Sequence, residues 1–324
     1  MKLYEKKEKI EMDIYQFEYV IAIAEEKSIS KAAKKLYITQ PSLSQYIMRL
    51  ENNLGVKLFD RSASSMILTY AGEIYVQTAK NILSLNTGMK KKLSDIAGSK
   101  KGRLAIGIPH QAGRHILPLV LPEFHRQYPE IEIVVKEDVT MRLEEMLLSG
   151  KIDIAILNLP MQNEKILYET IATERVFLVA PKNHWICDSK MFLGDNCKIN
   201  LNSLKNEPFI LLEQGQRMRL LMDEIFKRAN FKPNVLMEIK NLDTAYCIAA
   251  AGMGFTFVPE NVVWLLNVDN YNNFLIDNIT LTLAVAYRRG EYITKATNDF
   301  IHITKDIMSL KQRERILAYR KIHI

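Results

Sequence analysis

Residues 28–59 read SISKAAKKLYITQPSLSQYIMRLENNLGVKLF. Leu43, Ile47, Leu50 and Leu54 recur at helical spacing, which predicts a stripe facing a core. Between them Ser42, Ser44, Gln45, Tyr46 and Arg49 leave a short polar face, whose donors and acceptors suit base edges or phosphates. Thr39 is placed as an N-cap, and Pro41 falls in the first turn, where its missing N–H costs little. Upstream, Ser28 to Leu36 reads as a second short helix in which Ala32 and Ala33 permit close packing. The two segments together spell a helix-turn-helix. Pairs of short amphipathic helices also occur in many other soluble proteins, so the pattern leaves DNA binding open.

The flanks narrow the choice. Asp13 and Gln16 form a capping box for an earlier helix, with Phe17, Val20, Ile21 and Ala24 as its expected buried stripe. After Phe59, Asp60-Arg61-Ser62-Ala63-Ser64-Ser65 is a small-residue turn between Val56–Phe59 and Met66–Leu68, a short hairpin or wing. Residues 12–72 resemble the N-terminal module of LysR-type transcriptional regulators. The resemblance rests on Phe17, Ala32-Ala33, Leu36, Gln40-Pro41-Ser42-Leu43-Ser44, Leu50-Glu51, Leu54-Gly55, Leu58-Phe59, Arg61, Leu68-Thr69 and Ala71-Gly72. It implies a winged helix-turn-helix that grips double-stranded DNA at an interrupted palindrome. The expected DNA-binding set is Ser30, Lys31, Gln40, Pro41, Ser42, Ser44, Gln45, Arg49 and Arg61. Of these, Ser42, Gln45 and Arg49 are expected near base edges, and Gln40, Ser44 and Arg61 on phosphates. The wing itself, Ser62 to Ser65, lacks the basic residue often found there.

Charge is distributed in the same sense. The chain of 324 residues carries a formal +7. Residues 1–100 hold 16 Lys and Arg against 11 Asp and Glu, a balance of +5, and the remainder contributes +2. A basic N-terminal third suits phosphate contact, although lysine-rich surfaces also serve solubility. With 48% hydrophobic and 25% charged residues, the composition is that of a globular chain of two or three domains. No apolar run reaches the length of a membrane span, and Met1 to Met12 is too charged for a signal peptide, so no membrane partner and a cytoplasmic location are expected. Cys187, Cys197 and Cys247 lack metal-ligand spacing, and no metal or cofactor is expected. Some members of the resembled family sense peroxide through a cysteine pair, which brings a Cys187–Cys197 bridge into consideration; the family cysteines, however, would fall from Arg217 onward at positions where this chain has other residues, which argues against redox sensing.

Residues 1–11 are a charged extension with no counterpart in the family module. The DNA-binding domain is expected at 12–70, and a linker helix and hinge at 71–101. That helix, capped by Thr69 and running to about Ile96, carries Tyr75, Thr78, Ile82, Leu85, Met89, Lys92 and Ile96 in alternating three- and four-residue steps, the pattern of a coiled-coil seam. The resemblance implies that it dimerises, giving a homodimer or homotetramer. Gly98 to Gly102 reads as the hinge.

From Arg103, short apolar runs alternate with helical patterns, which predicts an α/β domain. Strands are expected at Leu104–Ile108, Ile131–Val135, Ile152–Leu157, Val176–Val179, Phe209–Leu212, Val235–Glu238, Phe255–Val258 and Leu281–Ala286. Helices are expected at Ile116–Gln127, kinked by Pro122, and at Met141–Leu148, Met218–Ala229 and Thr244–Ala251. The resemblance extends here through Pro118, Phe124, Tyr128-Pro129, Gly150, Asp153 and Ala250 to Pro259. It implies a two-lobed effector domain, 102–324, resembling type 2 periplasmic binding proteins. Lobe I would take 102–172 and the return after about 268; lobe II would take 173–267. Asn298 to Ile324 reads as a basic amphipathic helix of unassigned role.

In open α/β sheets, ligands sit beyond the carboxyl ends of strands, often against helix N-termini. That rule selects the loops Pro109–His115, Glu137–Thr140, Glu213–Arg217 and Asn241–Thr244. The expected effector-binding set is His110, Gln111, Gly113, Arg114, Thr140, Gln214, Gly215, Gln216, Arg217 and Thr244. Gln111 stands where the family often has Ser or Thr. Arg114, His115, Arg217 and Arg219 near helix starts suggest an anionic small-molecule effector; each Arg could equally be a solvated charge, and Thr140 and Thr244 plain N-caps. Gly252-Met253-Gly254 lacks the third glycine of a dinucleotide fingerprint. No His-Glu-x-x-His, Gly-x-Ser-x-Gly or P-loop occurs, so no catalytic residues are expected. The remaining alternatives are a ligand-binding protein of the same fold without DNA function and, behind it, an enzyme on that fold.

Overall fold

In the computed structural model, which describes residues 14–60, 65–98, 101–161, 163–181, 184–188, 201–266 and 273–322, the chain divides between Leu93 and Ser94 into two compact units. The first contains α1 (Ile14–Glu26), α2 (Ile29–Lys35), α3 (Gln40–Leu54), β1 (Phe59–Asp60), β2 (Ile67–Leu68) and α4 (Tyr70–Ile96). Three of its helices start on hydroxyl caps: Ser28 Oγ accepts from Lys31 N, Thr39 Oγ1 from Ser42 N, and Thr69 Oγ1 from Gly72 N. Gly55, at φ +70°, closes α3 in the left-handed conformation.

Leu43, Ile47 and Leu50 are buried as expected and pack with Val20, Ile23, Ala32, Ala33, Leu58 and Phe59. The α1 stripe differs from the expectation: Phe17, Val20, Ala22 and Ile23 are buried, whereas Ile21 and Ala24 are only partly so. The three-helix packing turns α1 by about one residue relative to the simple i, i+3, i+4 reading. Behind α3, buried Glu51 accepts from the backbone N–H groups of Leu58 (2.9 Å) and Phe59 (3.1 Å), which ties the reader helix to the wing. β1 and β2 pair antiparallel, Phe59 opposite Leu68. A Cβ on Gly72 would lie 2.0 Å from the Leu58 carbonyl oxygen, so only glycine lets α4 approach the wing this closely. Asp13, Arg61 to Ser64 and the 1–11 extension lie outside the described residues.

The second unit contains β3 (Gly102–Ile108), α5 (His110–Gln127), β4 (Ile131–Glu137), α6 (Thr140–Leu148), β5 (Ile154–Asn158), β6 (Ile166–Val179), α7 (Trp185–Asp188), β7 (Pro208–Leu212), α8 (Arg217–Arg228), β8 (Asn234–Ile239), α9 (Leu242–Ala250), β9 (Thr256–Pro259), α10 (Glu260–Leu266), β10 (Asn273–Arg288) and α11 (Lys295–Ile322). Six strands form one sheet in the order β4-β3-β5-β10-β6-β9, and β7 pairs with β8 in a separate parallel pair. β3 runs parallel to β4 and β5; β10 is antiparallel to both β5 and β6.

Three hydrophobic clusters result: two large cores, both served by β6 and β10, and a smaller one in which Leu143 and Leu147 of α6 pack on Ala105 and Ala155 of the sheet. Ile171 and Ala172 of β6 belong to the first core, Val176 to Val179 to the second. On β10, Phe274 to Leu281 pack in the second core, and Leu283 and Val285 in the first. The chain therefore changes core on β10 between Leu281 and Leu283, later than the expected return at about residue 268. Both strands are longer than the apolar runs at Val176–Val179 and Leu281–Ala286 suggest. Asn278 takes φ +58° inside a register shift, and the ladder continues past it.

α5 also departs from expectation. It begins at His110, not Ile116, and runs unbroken through Pro118 and Pro122. Ile116, Val120 and Phe124, spaced four apart across both prolines, are all fully buried, so the helix keeps one face on the core despite two missing N–H groups. α10 was not foreseen, being a short helix that follows β9 without a break.

Candidate functional site

Two sites were read from the sequence. On the first unit, Gln40, Pro41, Ser42, Gln45 and Arg49 of α3 are exposed together, with Ser30 and Lys31 of α2 exposed as well. Ser44 is half-buried. Tyr46 turns inward from the polar face, its ring edge-on to Tyr19 at 5.1 Å between centroids. The Ser42 hydroxyl lies 2.8 Å from the capping Thr39 hydroxyl, so part of its hydrogen-bonding capacity is engaged at the helix start. Gln45 and Arg49, one turn apart, present an amide and a guanidinium outward; Arg49 has no ion-pair partner among the described residues. Arg61 lies outside the described residues.

The second site is a cavity of about 540 Å³ between the two cores. It opens where β3, β4, β7 and β8 end and α5, α6, α8 and α9 begin. Of the residues assigned to the effector from the sequence, His110, Gln111, Arg114, Thr140, Gln214, Gln216 and Arg217 line it. Three residues of the expected set do not. Gly113 is on the buried face of the first turn of α5, where a Cβ would meet Glu137 Oε1 at 2.9 Å; it lets the helix start pack on β4. Gly215 makes the turn after β7 at φ +88°. Thr244 donates its N–H to the Asn241 side chain, which is the true cap of α9. Thr140 is likewise no N-cap: that position falls on Val139.

The expected arginine cluster is divided. Arg219 is buried away from the cavity, bound to Asp223 (2.9 Å) and Glu238 (2.7 Å) and to the Leu212 carbonyl. His115 lines a smaller pocket with Glu174 and Asn261. Arg114 pairs across the cavity with Asp243, and Arg217 donates to the Pro160 carbonyl. Burial holds the Arg217 guanidinium below its ordinary value, opposed by the nearby Glu144 carboxylate, whose own value burial raises. Overall the walls carry three cationic side chains, Arg114, Arg217 and Lys240, and four acidic ones, Glu137, Asp138, Glu213 and Asp243. His110 Nδ1 lies 3.1 Å from Glu137.

The helix starts at this cavity are unlike those of the first unit. α5, α6 and α8 begin at Pro109, Val139 and Gln216, and none has a side-chain cap. Their first N–H groups face a cavity instead of a hydroxyl, the arrangement that binds anions.

Residues 14–73 match the family model described as bacterial regulatory helix-turn-helix protein, lysR family, and residues 97–309 match the LysR substrate binding domain. The uncharacterized HTH-type transcriptional regulator YcgK of Bacillus subtilis is 30% identical over 93% of this chain and 96% of its own length. The HTH-type transcriptional regulator AlsR of the same organism is 32% identical over 90% and 95%. The chain belongs to the LysR family. Among solved structures, a full-length OxyR variant of Pseudomonas aeruginosa superposes with a TM-score of 0.67 at 24% identity, covering 93% of this chain and 96% of that one. Full-length CbnR, solved with its target DNA, does so with a TM-score of 0.59 at 23% identity, covering 91% and 100%.

This LysR-type chain is a DNA-binding transcriptional regulator with an effector-binding domain. Among the described residues, no helix is long and apolar enough to cross a membrane. No group of three or more His, Cys, Asp or Glu there could hold a metal ion. The sequence reading missed Asn158, Met218, Lys240, Pro259 and Leu281 in the regulator's cavity wall. Asn158, Pro259 and Leu281 lie on strands, outside the helix-start rule. The stronger missed signal was available: Pro109 and Val139 are residues that cannot cap a helix.

Proposed function

We propose that the chain binds an operator as a homo-oligomer and answers a small-molecule effector held in the inter-lobe cavity. The exposed α3 face carries the first half of this reading: Ser42, Gln45 and Arg49 meet base edges, and Gln40, Ser44, Ser30 and Lys31 meet phosphate, with Pro41 fixing the helix start. Arg61 is assigned to the wing's phosphate contact by resemblance. Exposed Leu85, Met89 and Ile96 on α4 supply an apolar seam for a second copy, and two reader helices one turn apart then suit an interrupted palindrome. The single observation that carries the second half is the convergence of three uncapped helix starts on one cavity, which suits an effector bearing an anionic group. The expected lining set, His110, Gln111, Arg114, Thr140, Gln214, Gln216 and Arg217, is assigned to that effector. Effector binding shifts DNA affinity only if it favours one arrangement of the oligomer, and a tenfold shift needs about 1.4 kcal/mol. We read the chain as a cytoplasmic, non-catalytic regulator.

The test is a mobility-shift assay of the full chain on DNA upstream of its own gene at two salt concentrations. Specific, salt-sensitive binding is expected, weakened by Arg49→Ala by about 1–3 kcal/mol if the guanidinium reads a base, or with a salt slope lower by about one if it holds a phosphate. Unchanged affinity and salt slope would remove Arg49 from the interface. Ligand binding with no salt-dependent DNA affinity would favour a sensor without DNA function.

A further inference from the structure

We infer that the effector is a zwitterion of the α-amino-acid type, its carboxylate held by Arg114 and the uncapped helix starts and its ammonium by Asp243. This rests on the reading of the cavity as the effector site.

Arg114 stands on α5 and Asp243 on α9, and the two meet across the cavity. They are not equally solvated. The Arg114 side chain is half exposed, whereas Asp243 is 9% exposed, and its Oδ1 is buried with no hydrogen-bond partner among the described residues. A simple anion that takes Arg114 therefore strands a buried carboxylate, the costly way to break an ion pair. A simple cation at Asp243 leaves the starts of α5, α6 and α8 unfilled. A molecule carrying both charges replaces each half of the pair with its own opposite.

The other unsatisfied groups are consistent with this polarity. Gln111 Nε2 and Arg217 Nε are buried donors with no partner among the described residues, and both residues line the cavity. They ask for acceptor oxygens, as the helix starts do, while Asp243 Oδ1 asks for a donor. Three cationic against four acidic wall residues suit a ligand of little net charge far better than a dianion. Met218, Leu242, Pro259 and Leu281 add an apolar stretch of wall, so the ligand's side chain is apolar.

The experiment is thermal melting and then titration calorimetry of the full chain against leucine, methionine, valine and phenylalanine. Each is paired with its des-amino carboxylic acid and its carboxamide. At least one amino acid is expected to raise the melting temperature and to bind tenfold or more tightly than either analogue. Asp243→Asn is expected to lower amino-acid affinity at least tenfold and to strengthen binding of the des-amino acid, which no longer strands a buried carboxylate when it takes Arg114. Arg114→Gln, at a half-exposed position, should weaken both, and it serves if Asp243→Asn does not fold. Equal binding of the des-amino acid, amino-acid affinity indifferent to both variants, or no binding by any of the four amino acids overturns the inference. The cavity reading fails separately: binding of any of these probes that survives the cavity-filling Thr140→Trp lies elsewhere.

Discussion

Replacing Glu51 tests how the reader helix is held. One carboxylate oxygen, Oε1, accepts from both Leu58 N and Phe59 N, at 2.9 and 3.1 Å, inside the core of the first unit. Glu51→Ala deletes that acceptor and orphans two buried donors. A hydrogen bond to a charged group contributes about 1.5–3 kcal/mol, and an unsatisfied buried donor costs about 1–3 kcal/mol. These describe the same loss from two sides, so the expected destabilisation is about 3–5 kcal/mol. Against a domain stability of about 5–15 kcal/mol, that is a substantial share of the whole. Glu51→Gln keeps a carbonyl oxygen for both N–H groups and loses the charge and the contact to Lys57. Lys57 is 64% exposed, so that pair contributes at most about 1 kcal/mol. The expected cost of Glu51→Gln is therefore only about 1–1.5 kcal/mol. Hydrogen–deuterium exchange of the full chain, followed in peptides spanning residues 43–59, reads both numbers from the slowest amides. Wild-type protection in Glu51→Ala would refute the buried-acceptor account. Equal losses in the Ala and Gln variants would show that charge, not the acceptor, matters.

Three further outcomes follow from packing and titration. Gly72→Ala places a Cβ against the Leu58 carbonyl and should cost about 1–3 kcal/mol or more in the same exchange measurement, with no change meaning that α4 does not approach the wing so closely. Phe209 is fully buried among Phe226, Phe255 and Phe257, so Phe209→Ala should destabilise the second unit by about 3–5 kcal/mol in urea denaturation followed by tryptophan fluorescence. Burial, then the hydrogen bond to Asp299, pushes the Tyr128 phenol up to about 12. The folded chain thus holds that proton more tightly than the unfolded chain, whose tyrosines titrate near about 10, so this stabilisation is intact below pH 10 and is lost as pH rises toward 12. Tyr128→Phe should flatten that alkaline decline; an identical profile in the variant would exclude Tyr128 as its source.

How much of this was legible depended on whether one residue's role is decided locally. Leu43, Ile47, Thr39 and Thr69 are fixed by periodicity or by a cap one turn away, and they stand where the sequence placed them. The strand positions of the second unit were legible as apolar runs, but not their ends. β6 and β10 continue through polar residues because a ladder does not need apolar side chains at every step: Glu169 keeps Val285 as its partner, and β10 crosses Asp277 in the register shift between Leu275 and Thr280 before pairing resumes. Arg219 shows the limit at the cavity. It sits two residues from Arg217 and has the same chemistry, yet helical geometry turns it to Asp223 and Glu238 and away from the ligand. Which arginine faces a cavity depends on helix phase, and the phase of α8 is set by Met218, Met222 and Phe226, a stripe visible only once its boundary is known.

Caps carry information that periodicity does not. A hydroxyl and an anionic ligand compete for the same free N–H groups, so a helix kept without a cap is open for something else. Val139 allows this to be measured. Its φ −70° and ψ 152° nearly match the φ −79° and ψ 144° of Thr39, whose hydroxyl does cap α3. Val139→Ser should therefore place an Oγ on the first N–H groups of α6. Because Val139 is 45% exposed, little packing is lost. The unliganded chain should gain about 0.5–1 kcal/mol, and any ligand that binds through the start of α6 should lose affinity by a comparable amount. A stabilised variant with undiminished affinity would mean that these N–H groups face water in the complex, and the anion would then rest on Arg114 and Arg217 without the helix start.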